Sequence, residues 1–106
     1  MIPKAWRNVI RAWADRHEPI QSAYIFGSYA KGSATEGSDL DVAVIIKPMR
    51  GDEDELTTWI FERQKWAEDL DALLPPQIDL ELISEDDLVV KPAVERDGIL
   101  VYQRGH

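Results

Sequence analysis

Residues 27–41 read Gly-Ser-Tyr-Ala-Lys-Gly-Ser-Ala-Thr-Glu-Gly-Ser-Asp-Leu-Asp. Apolar runs typical of β-strands precede and follow this segment, at 20–26 and 40–46. The segment begins with a Gly-Ser pair and ends with an Asp-x-Asp motif. The pair is suited to holding phosphate and the motif to holding divalent metal.

Length and composition indicate one globular domain. The chain has 106 residues, of which 44% are hydrophobic and 30% charged. It has no cysteine, which excludes a disulfide framework and any thiolate metal ligand or nucleophile. No apolar run approaches the roughly 18 residues of a membrane span, and the first residues lack a signal-peptide core. We therefore expect a cytoplasmic protein.

The charge balance restricts the partners of the chain. Twelve basic and twenty acidic residues give a net charge of −8. Proteins that bind nucleic acid usually present a basic face, so direct binding of nucleic acid is not expected. A bound polyphosphate would need metal ions to offset the acidic field. The same charge also keeps the protein in solution.

Hydrophobic periodicity predicts the order α-β-α-β-α-β-α-β. The predicted helices span 3–16, 27–31 and 53–74, followed by a short helix after Ser84 and Asp87 that is broken near Pro92; the predicted strands span 20–26, 40–46, 78–83 and 99–102. Asp52 and Glu55 form a plausible capping box for the third helix. The fold class is α/β (α+β), with a small mixed sheet of three to four strands covered by helices.

Aromatic residues and histidines complete the pattern. Trp6 and Trp13 stand seven residues apart, as do Trp59 and Trp66, so each pair lies on one side of its helix. Burial against the sheet is the simpler interpretation, and a surface for a partner is the alternative. The two histidines, His17 and His106, are expected to be solvated.

Gly27 and Ser28 are the candidates for phosphate binding. They follow a predicted strand and begin a predicted helical turn, where free backbone N–H groups and the local dipole favour anions. Gly27 has no Cβ, which allows a ligand to approach closely, and Ser28 adds a hydroxyl donor. A simple turn is the alternative for a Gly-Ser pair taken alone.

Asp39 and Asp41 are the candidates for metal binding. Residues i and i+2 of a strand point to the same side, so both carboxylates would project together. At about 5 Å they would repel by roughly 3 kcal/mol at an effective dielectric constant near 20, which calls for compensation by a hard cation such as Mg²⁺. Alternatively, Asp39 caps the turn and Asp41 is solvated at a strand edge.

Asp79 is the third candidate carboxylate. In the strand at 78–83, Asp79 and Glu81 alternate with apolar residues and face the other side. If this strand neighbours the one at 40–46, Asp79 completes a cluster that ligates metal and helps to deprotonate an attacking hydroxyl. Glu81 is the reserve candidate, and a solvent-facing position is the alternative for Asp79.

Together these motifs form the pattern Gly-Ser-x-x-x-Gly-x-x-x-x-x-Ser-Asp-x-Asp-x-x-Val, from Gly27 to Val44, between two strands. The pattern resembles the signature of the DNA polymerase beta-like nucleotidyltransferase superfamily. The short chain is most similar to the minimal nucleotidyltransferase (MNT) group, whose members are often antitoxins of HEPN-domain toxins. The resemblance extends from the first helix through Asp79, and implies a single nucleotidyltransferase domain over residues 1–106.

The resemblance implies a role for each matching residue. Gly27 and Ser28 would hold the β- and γ-phosphates of a nucleoside triphosphate, with ATP as the family expectation. Ser38 would add a phosphate contact. Lys31 stands where arginine is frequent, which keeps the charge but loses the bidentate geometry.

For the carboxylates, the resemblance implies a two-metal reaction. Asp39, Asp41 and Asp79 would bind two Mg²⁺ ions, with Asp79 near the attacking hydroxyl. The hydroxyl would attack the α-phosphorus in line, and pyrophosphate would leave.

Three functions remain open from the sequence. The first is transfer of AMP to a tyrosine of a partner HEPN toxin within a hetero-oligomer. The second is an antitoxin that neutralises its partner by binding alone. The third is a small-molecule nucleotidyltransferase of the aminoglycoside-modifying type, which usually carries an additional helical domain.

Overall fold

The structure, a computed structural model, describes residues 2–105. Helices and strands alternate in the predicted order: α1 Lys4–Arg16, β1 Ile20–Phe26, α2 Gly27–Lys31, β2 Leu40–Ile46, α3 Glu55–Asp71, β3 Ile78–Leu82, α4 Val90–Asp97 and β4 Ile99–Gln103. The prediction for His106 lies outside the described residues. Over residues 2–105, no helix has both the length and the apolar character needed to cross a membrane.

The four strands form one mixed sheet in the order β3-β2-β1-β4. β1 pairs antiparallel with β2 and with β4, whereas β2 pairs parallel with β3. The C-terminal end of β1 and the N-terminal ends of β2 and β3 therefore meet at one edge of the sheet. The predicted α/β fold with a small mixed sheet is confirmed.

One face of the sheet carries most of the core. Leu40, Val42 and Val44 of β2 are fully buried and point to the same face. Trp13 of α1 and Trp66 of α3 belong to the same buried cluster, and Trp13 Nε1 donates to the Trp66 carbonyl at 3.0 Å. Thus α1 and α3 cover this face, and α4 packs against β1 from the opposite side. We call that opposite side the open face.

Helix α3 is shorter than the predicted 53–74, and its cap differs. Asp54 is the N-cap residue, and its carboxylate accepts a hydrogen bond from Thr57 N at 2.9 Å. Asp52 lies two residues before this N-cap, and its carboxylate accepts a hydrogen bond from the hydroxyl of Thr58. The predicted capping box is therefore wrong.

The predicted apolar side of α3 is only partly buried. Trp59, Trp66 and Leu70 are buried, whereas Leu56, Ile60 and Leu73 are 47–62% exposed. Helical periodicity correctly placed these apolar residues on one side of α3. The sheet, which ends at strand β3, covers only part of that side.

Helix α4 contains Pro92 without a break. Pro92 is the third residue of α4, in the first turn, where a backbone N–H has no partner within the helix. Asp87 accepts hydrogen bonds from Val89 N and Val90 N at 2.7 and 2.8 Å, which fixes the start of this helix. The N-cap residue of α4 is Val89, which makes no side-chain cap hydrogen bond, so the cap predicted from Ser84 and Asp87 and the predicted break are both wrong, although the Asp87 carboxylate binds the backbone just before the helix.

The tryptophan pairs belong largely to the core, as the simpler interpretation predicts. Trp13, Trp59 and Trp66 are buried, and Trp6 is half-buried with its ring 5.6 Å from that of Tyr29. The expectation for His17 is wrong. Its side chain is 14% exposed, lies against Trp13 and Trp66, and contacts Asp69 Oδ2 at 3.0 Å.

Candidate active site

Two carboxylates lie side by side at the edge where β1 ends and where β2 and β3 begin. Asp41 of β2 is the register partner of Asp79 of β3, and Ala43 is the partner of Glu81. Paired residues of neighbouring strands project to the same face, so Asp41, Asp79 and Glu81 all project from the open face. The condition under which Asp79 could join the Asp-x-Asp motif, namely neighbouring strands, is met.

Gly27 lies directly against the Asp41 carboxylate. Its neighbour Phe26 is the register partner of Asp41. A Cβ at Gly27 would overlap Asp41 Oδ2 and lie 3.0 Å from Asp41 Cγ. Gly27 also has a φ of +71°, which side chains rarely adopt. Only glycine allows the backbone to pass so close to the carboxylate.

The pKa of Asp41 is raised to about 6, which reflects a crowded negative site. Partial burial is the largest cause. The charge of Asp79, a hydrogen bond between the two carboxyl groups, and the charge of Asp39 raise the pKa further, while Lys31 lowers it. Asp41 is therefore within electrostatic reach of both other aspartates and of the Lys31 cation.

Glu81 belongs to the same group of acids. Its pKa is raised to about 7, first by burial, then by a hydrogen bond with Asp79 and by the charges of Asp79 and Asp41. The sequence placed Glu81 only in reserve. The signal for it was present, because Glu81 follows Asp79 by two residues in a strand that alternates.

Ser28 is the second residue of α2, and the other predicted site residues lie at the end of α2 or in the connection from α2 to β2. Asp39 directly precedes β2 and is exposed, and its charge helps to raise the pKa of Asp41. Ser38 Oγ accepts a hydrogen bond from Thr35 N at 2.9 Å and thereby closes the turn. Lys31 is the last residue of α2 and is exposed.

The carboxylates at this end of the sheet suit a hard cation, although the side chains are not positioned to bind one ion together. Within residues 2–105, no three Asp, Glu or His side chains are grouped closely enough to hold one ion. Asp41, Asp79 and Glu81 nevertheless supply carboxylate oxygens, the ligands that Mg²⁺ prefers. Their mutual repulsion, seen in the raised pKa of Asp41, is the kind of charge that a cation offsets.

Comparison with known proteins identifies the family. Residues 8–106 match the family described as "Polymerase beta, Nucleotidyltransferase". The chain belongs to this family. The match includes every site residue discussed above, from Gly27 to Glu81. No curated protein matches the chain.

Solved structures share the nucleotidyltransferase fold. One is a toxin–antitoxin crystallised with AMP-PNP, with 26% identity, a TM-score of 0.68, and coverage of 92% of this chain and 73% of that chain. A second is a tri-AMPylated HEPN toxin in complex with an MNT antitoxin from Shewanella oneidensis, with 22% identity, a TM-score of 0.67, and coverage of 95% and 72%. A third, the MntA–HepT toxin–antitoxin, has 21% identity, a TM-score of 0.68, and coverage of 96% and 74%.

One feature of this nucleotidyltransferase domain was not foreseen from sequence. A groove of about 360 Å³ lies on the open face, beyond Glu81, between the sheet and α4. Local patterns could not reveal it, because it depends on how α4 packs against β1.

Proposed function

We propose that this chain transfers AMP from ATP to a hydroxyl of a partner protein, with a tyrosine of a HEPN toxin as the acceptor, and so acts as the antitoxin of that pair. The observation that carries the proposal is the register pairing of Asp41 with Asp79 on the open face, with Gly27 in contact with Asp41. The two carboxylates supply oxygens that a metal ion can bind. The absence of a side chain at Gly27 lets a phosphate chain come close to them.

The acceptor and the partner are supported by the solved structures of similar fold. A toxin–antitoxin crystallised with AMP-PNP is similar to this chain, and so is an MNT antitoxin bound to a tri-AMPylated HEPN toxin. The open face fits an acceptor on a large partner, because α2 and α4 leave the carboxylate edge uncovered.

Each residue has a role in the proposed reaction. Gly27 and Ser28 hold the β- and γ-phosphates, and Lys31 adds positive charge beside them. Asp39, Asp41 and Asp79 would hold Mg²⁺, which supplies charge neutralisation for the triphosphate and activation of the nucleophile. Ser38 keeps the turn before Asp39 in place through its bond with Thr35 N.

The bonds balance as follows. The acceptor hydroxyl oxygen forms a bond to the α-phosphorus, and the bond from that phosphorus to the oxygen bridging the β-phosphate breaks. Pyrophosphate leaves along the line opposite the attacking oxygen. Asp79 accepts the proton of the acceptor hydroxyl.

Intact mass spectrometry tests the proposal. The chain is mixed with the protein encoded by the adjacent reading frame, and with each of the four nucleoside triphosphates, in Mg²⁺ or in EDTA. The expected result is a gain of AMP by the partner in ATP and Mg²⁺ only. Asp41→Asn should abolish the gain, whereas Glu53→Gln, an exposed residue before α3, should leave it unchanged.

Two other outcomes select the other functions. A partner that is silenced without any mass change, equally by wild type and Asp41→Asn, supports an antitoxin that acts by binding alone. Consumption of ATP only in the presence of an aminoglycoside supports a small-molecule nucleotidyltransferase.

A further inference from the structure

The groove beyond the carboxylates has apolar walls and a charged rim. It is lined by Tyr24, Ile45, Ile83, Lys91, Val94 and Glu95. A second cavity of about 260 Å³ shares Ile45, Ile83 and Lys91, so the groove continues towards the loop before α4. The groove therefore lies next to the carboxylates on the same face of the sheet and not at the carboxylates themselves.

Strand geometry fixes the distance between this groove and the reacting centre. Asp79, Glu81 and Ile83 alternate along one line, and Ile45 lies four residues after Asp41 on the neighbouring strand. Four residues of strand span about 13 Å. An extended peptide laid along this line therefore reaches the groove about four residues from the position in contact with Asp79.

The direction of the reaction decides which reactant occupies the groove. Gly27, the proposed phosphate site, continues from the end of β1 beyond Phe26, the register partner of Asp41. The groove lies the other way along β1, at Tyr24. The attacking and leaving oxygens lie on opposite sides of the α-phosphorus. If pyrophosphate leaves towards Gly27, the acceptor approaches from the opposite side, where the groove lies.

Exposure and charge fit a peptide occupant. Ile45 is 38% exposed, and Leu88 and Val89, just before α4, are 89% and 76% exposed. Glu95 and Lys91 line the groove, Glu81 precedes Ile83 by two residues along the same strand, and the chain has a net charge of −8. An apolar side chain with basic neighbours complements both features.

We propose that the groove binds an apolar side chain of the partner segment that carries the acceptor hydroxyl, about four residues from that hydroxyl. This inference rests on the proposed function, in that it names the part of the partner recognised beside the same site. The groove is thus a specificity determinant for the protein substrate and has no part in nucleotide binding.

Steady-state kinetics with Ile45→Asp test the inference, with the protein from the adjacent reading frame as acceptor. The matched control is Ile60→Asp, since Ile60 is also an exposed isoleucine but lies on α3. Ile45→Asp should raise KM for the partner by about tenfold or more, with kcat and the KM for ATP unchanged. Ile45→Ala, which is milder for folding, should raise it less, and Ile60→Asp should have no effect. A raised KM for ATP, or no change in any constant, overturns the inference.

Cross-linking separates failure of this inference from failure of the proposed function. The chain has no cysteine, so Ile45→Cys and Ile60→Cys each carry one reactive site. A benzophenone maleimide at position 45 should label the partner within about five residues of the modified hydroxyl, and at position 60 it should not. If wild type transfers no nucleotide, the proposed function fails; labelling from position 45 alone then still supports a docking groove, and equal labelling from both positions refutes it.

Discussion

The backbone of Gly27 lies so close to the carboxylate of Asp41 that any β-carbon would overlap Oδ2. Gly32, five residues later, has a similar φ, +78° against +71°, but nothing lies within 4 Å of its Cβ position. The chain thus provides two glycines with the same backbone requirement and different surroundings.

This pair separates backbone strain from loss of the site. Gly27→Ala and Gly32→Ala should each lose about 1–2 kcal/mol of unfolding free energy, because alanine is strained at positive φ. Only Gly27→Ala should also displace Asp41 and lose nucleotide transfer. Urea unfolding and the mass assay measure the two effects. Equal activity in both variants would contradict a phosphate path at Gly27.

Repulsion at Asp41 predicts a gain in stability when its charge is removed. At pH 8 in EDTA, Asp41→Asn should raise the melting temperature by a few degrees, since partial burial, Asp79 and Asp39 all oppose its ionised form. Asp39→Asn should gain less, because Asp39 is exposed and precedes the strand.

Addition of Mg²⁺ and ATP should reverse the order of the melting temperatures of wild type and Asp41→Asn. With Mg²⁺ and ATP, wild type should be stabilised by binding, while Asp41→Asn should gain little. Differential scanning fluorimetry measures both conditions. Equal ligand-induced shifts in wild type and variant would count against Asp41 as a ligand of the metal–nucleotide complex.

The sequence predicted the fold well where local patterns decide it. The apolar run at 40–46 became β2, whose alternate residues join the buried cluster of Trp13 and Trp66, and Asp79 reached Asp41 because the run at 78–82 pairs beside it. Periodicity could not say which part of α3 the sheet covers, so Leu56 and Ile60 were misplaced. The capping box is wrong because α3 begins at Glu55 with Asp54 as its N-cap, two residues after Asp52.

Local sequence patterns also predicted part of the candidate site. Alternation in β3 gave the face of Asp79 and Glu81, whereas the effect of the Asp39 charge on the pKa of Asp41 depends on distances that the sequence does not give. The raised pKa of Glu81 depends on its burial and its contact with Asp79, and neither can be read from spacing alone.

A buried hydroxyl holds the connection from β2 to α3. The Thr58 hydroxyl donates to Asp52 Oδ2 and accepts from Met49 N at 2.8 Å, and Thr58 is fully buried. Thr58→Val should cost about 1–3 kcal/mol, because Met49 N and Asp52 lose their partner. Thr58→Ser, which keeps the hydroxyl, should recover most of this in urea unfolding. A loss in Thr58→Ser with little loss in Thr58→Val would assign the effect to packing of the methyl group instead.

The raised pKa of Glu81 predicts how the stability of the metal-free protein depends on pH. Its pKa rises from 4.5 to about 7 on folding, so the folded protein holds this proton more tightly than the unfolded chain. The contribution of Glu81 to stability is therefore complete below pH 4.5 and is lost as pH rises through about 7. Glutamine does not titrate, so the Glu81→Gln variant does not lose stability in this way as pH rises. Its melting temperature should therefore rise relative to that of wild type between pH 5 and pH 8 in EDTA. Ile83→Val, a substitution without a titrating group on the same side of the strand, should differ from wild type by the same amount at every pH. A Glu81→Gln difference that stays constant across this range would show that folding does not raise the pKa of Glu81 through burial and the neighbouring acids.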